Sequence, residues 1–166
     1  MSELPLHLSR DDFNLSTLDD ELRVDALCAE LLRSFHGELL AQGVPPLEAG
    51  SLAQGADYYL RDFLVAVKQR NLLAEERGLV RQFAATWYII STIDPELKIL
   101  AQHLAGVREF YCWLGRKGAL SHPFIATVEE ECADLDYYGR RIESFWQISG
   151  DGYYAWEREC PLKSRQ

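Results

Sequence analysis

The histidines are the first residues that could bind a metal ion or transfer a proton. They stand far apart in the chain, at His7, His36, His103 and His122. Neither an ExxH nor an HExxH pair occurs, so the carboxylate-bridged di-iron site of some helical bundles lacks its sequence signature. The sequence therefore predicts no metal site.

Carboxylates at helical spacing could act as a general acid and a general base, and Glu130 with Asp134 is one such pair. The two groups would need an apolar pocket that separates their pKa values, and the sequence indicates none. A solvated acidic helix face is the simpler interpretation. We expect it to include Glu129, Glu131 and Asp136 as well.

Sequence motifs for catalytic nucleophiles and for phosphate binding are absent as well. The chain contains no GxSxG, no GxGxxG and no GxxxxGK[ST] motif. Its four cysteines, at positions 28, 112, 132 and 160, form no CxxC pair, which argues against a zinc half-site or a redox pair. We expect buried free thiols, and we predict a non-enzymatic protein without a cofactor.

Composition limits the class of partner. The chain has 166 residues, 48% hydrophobic and 26% charged, and a net charge of -9. This length fits one domain over residues 1–166, and the first ten residues do not resemble a secretory signal. With no apolar window long enough for a membrane span, we expect a cytoplasmic protein that does not bind membranes. The acidic balance also disfavours nucleic acid, although residues 50–125 carry nine basic and seven acidic side chains.

Hydrophobic periodicity predicts the helices. An apolar stripe from Val24 to Leu39 follows the capping residues Ser16 and Thr17, and it stops before Gly43. A second helix is predicted over residues 46–71, with Val67 on its buried side and with Gly50 and Gly55 weakening its first half. Residues 79–92 contain β-branched and aromatic types, but no second strand is available to pair with them, so we predict a third helix there.

Two further helices complete the predicted bundle. The fourth begins with Asp94 as its cap and Pro95 in its first turn, and it ends before Gly118. The fifth is a single long helix from Ser121 to about Trp146. The expected fold is thus an all-α bundle of about five helices, with an N-terminal arm over residues 1–15 and a tail over residues 147–166 that packs on the bundle.

Aromatic residues are the candidate interface, because tyrosine and tryptophan are favoured anchors in protein–protein contacts. The positions predicted to form an interface or a pocket are Tyr58, Trp87, Tyr88, Trp113, Tyr137, Tyr153 and Trp156. The expected partner is another protein or a second copy of this chain. A small-ligand pocket lined by Trp87, Tyr88, Tyr111 and Trp113 is a further alternative.

The middle of the chain contains two patterned segments: ADYYLRDFLVAVKQRNL at residues 56–72 and LAQHLAGVREFYCWLGRKGALSHPF at residues 100–124. The second has the form L-x-x-V-R-x-F-Y-x-W-L-x-x-x-G, followed by His-Pro. Residues 56–124 thereby resemble the N-terminal core-binding, SAM-like helical domain of tyrosine recombinases and phage integrases.

The resemblance implies a clamp on DNA. The residues that would meet phosphates are Lys68, Arg70, Arg108, Arg116 and Lys117. The catalytic domain of that family has no counterpart in this chain, and acidic segments flank the weakly basic centre. A protein contact is therefore the leading hypothesis, and DNA binding is the alternative.

Overall fold

The computed structural model describes residues 8–163; residues 1–7 of the expected arm and 164–166 of the expected tail lie outside the described residues. Within that range the chain forms seven helices and no strand, after a short 3-10 turn at Arg10–Phe13. The first four helices are α1 (Leu18–Ala41), α2 (Pro46–Asp57, continued by the π-helical Tyr58–Lys68), α3 (Leu79–Gln82, the π-helical Phe83–Trp87 and Tyr88–Ser91) and α4 (Leu97–Arg116). The last three are α5 (His122–Ala133), α6 (Leu135–Trp146) and α7 (Tyr153–Glu159). The predicted all-α class is confirmed.

Helix α1 begins where the capping residues predict. The Thr17 hydroxyl accepts the Asp20 backbone N–H at 3.1 Å, and the Asp20 carboxylate accepts the Thr17 N–H at 3.2 Å. The Ser16 hydroxyl and backbone N–H also donate to that carboxylate, and these bonds lower the pKa of Asp20 to about 2. After the helix, Gly43 adopts a φ of 88°, which glycine adopts without steric cost.

The centre of the bundle is the close approach of α2 to α4. A Cβ atom on Gly106 would lie 2.2 Å from the Leu52 carbonyl oxygen, and one on Gly55 would lie 2.8 Å from the His103 carbonyl oxygen. The two backbones can therefore touch only because both positions are glycine. Gly55, which the sequence suggested as a weak point of α2, is required for this packing.

The helix predicted over residues 79–92 forms from Leu79 to Ser91, and Thr92 is extended. Tyr88 and Ile89 are buried, while Trp87 is half-buried. The π-helical turns of α2 and α3 face one aromatic cluster, in which the Phe83 ring lies 5.8 Å from Tyr58 and 5.2 Å from Tyr59. Two successive tyrosines thus contact one ring.

Three local predictions were wrong. Helix α4 begins at Leu97 with Glu96 as its cap, so Asp94 and Pro95 precede it. Val67 lies at the end of α2 and is 47% exposed rather than buried. The predicted long fifth helix is broken at Asp134, whose ψ of 50° interrupts it between α5 and α6, and whose carboxylate binds Arg81 at 2.9 Å.

Glu131 is a fourth correction, because it is buried rather than solvated. Its two carboxylate oxygens accept the backbone N–H groups of Gly78 at 3.1 Å and Arg81 at 2.9 Å. These donors belong to the first turn of α3, where helical N–H groups have no partner within the helix. A side chain from α5 therefore satisfies the start of α3.

Part of the expected tail packs on the bundle. Helix α7 places Trp156 in the core with 6% of its surface exposed. Across residues 8–163, none of the helices combines the length and the apolar character that crossing a bilayer would require.

Candidate interaction site

Four of the five basic residues predicted to meet DNA bind partners within the protein. Lys68 donates to the Leu162 carbonyl, and Arg70 lies 3.5 Å from the Glu76 carboxylate. Arg108 lies 3.4 Å from Glu129 on the acidic α5, and Lys117 lies 3.3 Å from Glu38 on α1. Arg116 is exposed in the last turn of α4.

The ion pairs of Arg70, Arg108 and Lys117 lie at the surface, so each contributes little to stability. Their consequence lies in the electrostatic field, because an adjacent carboxylate cancels the charge that would attract phosphate over a distance. The basic side chains also sit at different places, at the end of α2, in the middle of α4 and at its end. The structure therefore offers no single open basic face formed by these five residues.

The predicted interface aromatics divide by burial. Tyr88, Trp113 and Trp156 are core residues, each at most 6% exposed, so they form no surface anchor. Tyr58, Trp87 and Tyr137 are half-buried, and Tyr153 is exposed. The Trp113 Nε1–H donates to the Glu38 carboxylate at 2.5 Å, and this bond lowers the pKa of Glu38.

Two residues of the alternative aromatic pocket pack against other rings of the protein. Trp113 packs on Phe110 at 5.7 Å, and Tyr111 packs on Tyr59 at 6.2 Å. Burial raises the pKa of both tyrosines, and their hydroxyls are hydrogen-bonded to each other. The cavity beside them measures about 10 Å³, the size of one water molecule and too small for an organic ligand.

A group of exposed aromatic rings lies where α6 ends and α7 begins. Tyr154 is 70% exposed, Trp146 is 58% exposed and Tyr153 is 37% exposed. We call these three residues the aromatic patch. Ring contacts of 5.1 to 6.1 Å connect them through two less exposed rings, in the order Trp146, Phe145, Trp156, Tyr153 and Tyr154.

Sequence analysis identified only Tyr153 of this patch as an interface residue. Trp146 follows Phe145, which lies on the apolar face of α6, and successive helical residues diverge by about 100°. That offset was the available signal that Trp146 points away from the core. Tyr154 carried the same signal as the second member of a double tyrosine.

A buried arginine fixes the helix that carries the tyrosines of the patch. Arg141 is 1% exposed, and its guanidinium donates to the carbonyl oxygens of Ala85 at 3.0 Å and Trp156 at 2.6 Å. It also donates to the Thr86 hydroxyl at 3.1 Å and lies 3.9 Å from the centroid of the Trp156 ring. Because Thr86 in turn donates to the Cys160 carbonyl at 2.7 Å, α7 is held at its middle by Arg141 and at its C-terminal end by Thr86.

Sequence analysis did not identify the role of Arg141. Its position at helical spacing between Tyr138 and Phe145 would suit an apolar residue. The pairing partners lie 15 to 56 positions away in the chain, so local pattern could not reveal them.

Other reactive groups do not gather into a site. Within the described part of the chain, no three His, Cys, Asp or Glu side chains come together as metal ligands would. All four cysteines are free, and burial raises the pKa of Cys28 to about 12, which keeps its thiol protonated.

Comparisons with known proteins add no further constraint: the chain matches no protein-family model, no curated protein and no solved structure.

Proposed function

We propose that this protein is a non-enzymatic, cytoplasmic interaction module that binds a protein partner through the aromatic patch. The observation that carries the proposal is the exposure of Trp146, Tyr153 and Tyr154 where α6 ends and α7 begins. Tryptophan and tyrosine are the residue types most enriched among side chains that dominate binding energy. An exposed cluster of them on a folded surface commonly marks an interaction site.

The hydrogen bonds that hold α7 against the bundle support the same proposal. The bonds of Arg141 and Thr86 hold α7 against α3, so the tyrosines project from a helix with a fixed position. Rings that are already ordered lose less conformational entropy when a partner binds. A flexible tail with the same residues would bind more weakly.

The patch is too small for a stable dimer of this chain. Its three rings expose roughly 300 Å² in total, given about 150 to 250 Å² for each fully exposed aromatic side chain. A stable interface needs about 800 Å² on each partner. We therefore favour a different protein that contributes a short segment over a second copy of this chain.

The experiment begins by replacing Tyr154 with a photo-crosslinking amino acid, to identify a partner in cells. The partner is then purified, and its affinity for the wild-type protein is measured by calorimetry. We expect Trp146→Ala with Tyr154→Ala to weaken binding at least about tenfold.

The matched control is Leu18→Ala with Leu47→Ala, which removes apolar side chains that are 71% and 91% exposed elsewhere. This variant should bind as the wild type does. Equal affinity of the patch variant and the wild type would refute the proposal. Retention of duplex DNA at moderate salt, lost on reversing the charges of Arg108, Arg116 and Lys117, would instead favour the alternative.

A further inference from the structure

The protein covers several of its aromatic rings with its own cations. Tyr137 lies between Arg81 at 5.3 Å and Arg140 at 5.8 Å. Trp113 lies 6.0 Å from the ammonium of Lys117, and Trp156 lies under Arg141. In residues 8–163, by contrast, no such cation contact is made by the three rings of the aromatic patch. The negative faces of these rings are therefore open to a cation from outside.

Acidic side chains outnumber basic ones in the segment that carries those open rings. Glu143 precedes Trp146 by three residues on α6, and Glu157 follows Tyr154 by three residues on α7, so each carboxylate shares a helix face with a ring. Asp151 lies in the turn two residues before Tyr153. Residues 143–159 carry four acidic side chains and one basic side chain, for a net charge of -3.

Two of these carboxylates are free to meet a cation. Glu157 accepts the Leu162 backbone N–H at 3.1 Å, and Glu159 lies 3.2 Å from Arg141. Glu143 and Asp151 are exposed, and neither has an ion pair within the described part of the chain. Open rings with carboxylates beside them complement a guanidinium group, which can stack on a ring and bind a carboxylate through two N–H groups.

We propose that the partner's binding segment is basic and that it stacks arginine side chains on Trp146 and Tyr154, with Glu143 and Asp151 pairing the guanidinium groups. This inference rests on the proposed function and specifies the chemistry of the partner. An acidic segment would be repelled by the carboxylates, and a purely apolar segment would leave them unpaired. A second copy of this chain would bring the same negative charge to the contact.

The test uses a synthetic arginine peptide, GGRGRGRGG, and a citrulline peptide of the same shape without the charges. Amide and indole N–H shifts of the full chain are followed by NMR as each peptide is added at moderate salt. We expect saturable shifts of the Trp146 indole and of the Tyr153 and Tyr154 amides with the arginine peptide. The citrulline peptide should give none.

Paired variants separate specific docking from general attraction to an acidic protein. Glu143→Gln with Asp151→Asn should weaken peptide binding at least about threefold, and Trp146→Ala with Tyr154→Ala about tenfold. The matched control, Glu130→Gln with Asp136→Asn, removes two exposed carboxylates elsewhere and should bind as the wild type does.

Three results would overturn the inference: equal binding of the citrulline peptide, equal weakening by the control pair, or shifts spread over all acidic surfaces. A purified partner that contacts the patch without a basic residue would overturn it while leaving the proposed function intact. A partner that binds elsewhere would overturn both.

Discussion

Replacing Arg141 by methionine tests the link between α7 and the bundle. Methionine fills most of the space of the arginine stem, but it leaves the Ala85 and Trp156 carbonyl oxygens without their donor. Each buried carbonyl that loses its partner costs about 1 to 3 kcal/mol, and the lost ring contact adds about 2 kcal/mol. Part of this is offset because burying the guanidinium is itself unfavourable.

We expect a net loss of about 3 kcal/mol in the free energy of unfolding, a large share of the stability of a domain of this size. The loss is limited by the docking energy of α7, because this helix can detach while the remainder stays folded. Urea denaturation followed by circular dichroism measures the global effect. Hydrogen exchange of the amides in Tyr153–Glu159 detects the local one.

Arg140→Met is the matched control, since it changes the neighbouring arginine in the same way. Arg140 is exposed and lies 5.8 Å from the Tyr137 ring, so its loss should cost less than about 1 kcal/mol. The reasoning is refuted if Arg141→Met destabilises the protein no more than Arg140→Met and the α7 amides keep their protection.

Three further predictions concern packing, pH and thiol reactivity. Gly106→Ala should destabilise the protein by at least about 3 kcal/mol in urea denaturation, because its Cβ would meet the Leu52 carbonyl oxygen at 2.2 Å. Gly50 has open space around it, so the control Gly50→Ala should stabilise α2 by about 0.5 to 1 kcal/mol. The pKa of Asp20 is about 2 in the folded protein, below its ordinary 3.8. The contribution of Asp20 to stability is therefore present above about pH 4 and is lost as the pH falls towards 2. Asp20→Asn should unfold at a lower urea concentration than the wild type at about pH 6, and that difference should vanish near pH 2. Mass spectrometry after a short maleimide treatment at pH 8 should find Cys112, the half-buried cysteine, modified first, and modification of Cys28 before Cys112 would contradict the buried position of Cys28.

Periodic apolar sequence was sufficient to predict the main helices. The stripe from Val24 to Leu39 lies in the core as expected. The capping residues before α1 also specified its start, because capping depends on neighbours within four positions. These features are encoded locally, and local reasoning found them.

The features that sequence analysis missed depend on contacts between distant segments. Glu131 resembles its acidic neighbours in sequence, yet it is buried because α3 offers it two unpaired N–H groups from about 50 positions away. Trp146 and Tyr154 were not singled out, because exposure of an aromatic residue depends on which helices cover it.

The bonds between Arg141 and α7 also affect the order in which the protein folds during its synthesis on the ribosome. Ala85, Thr86 and Arg141 emerge before Trp156 and Cys160, so the guanidinium reaches its position while two of the acceptor groups in its network are still inside the exit tunnel. Water must satisfy this group until residue 160 appears. Final closure of the interior is thus a late event in synthesis, and stalled nascent chains whose emerged part ends before residue 153 should be digested by protease at α3 and α6.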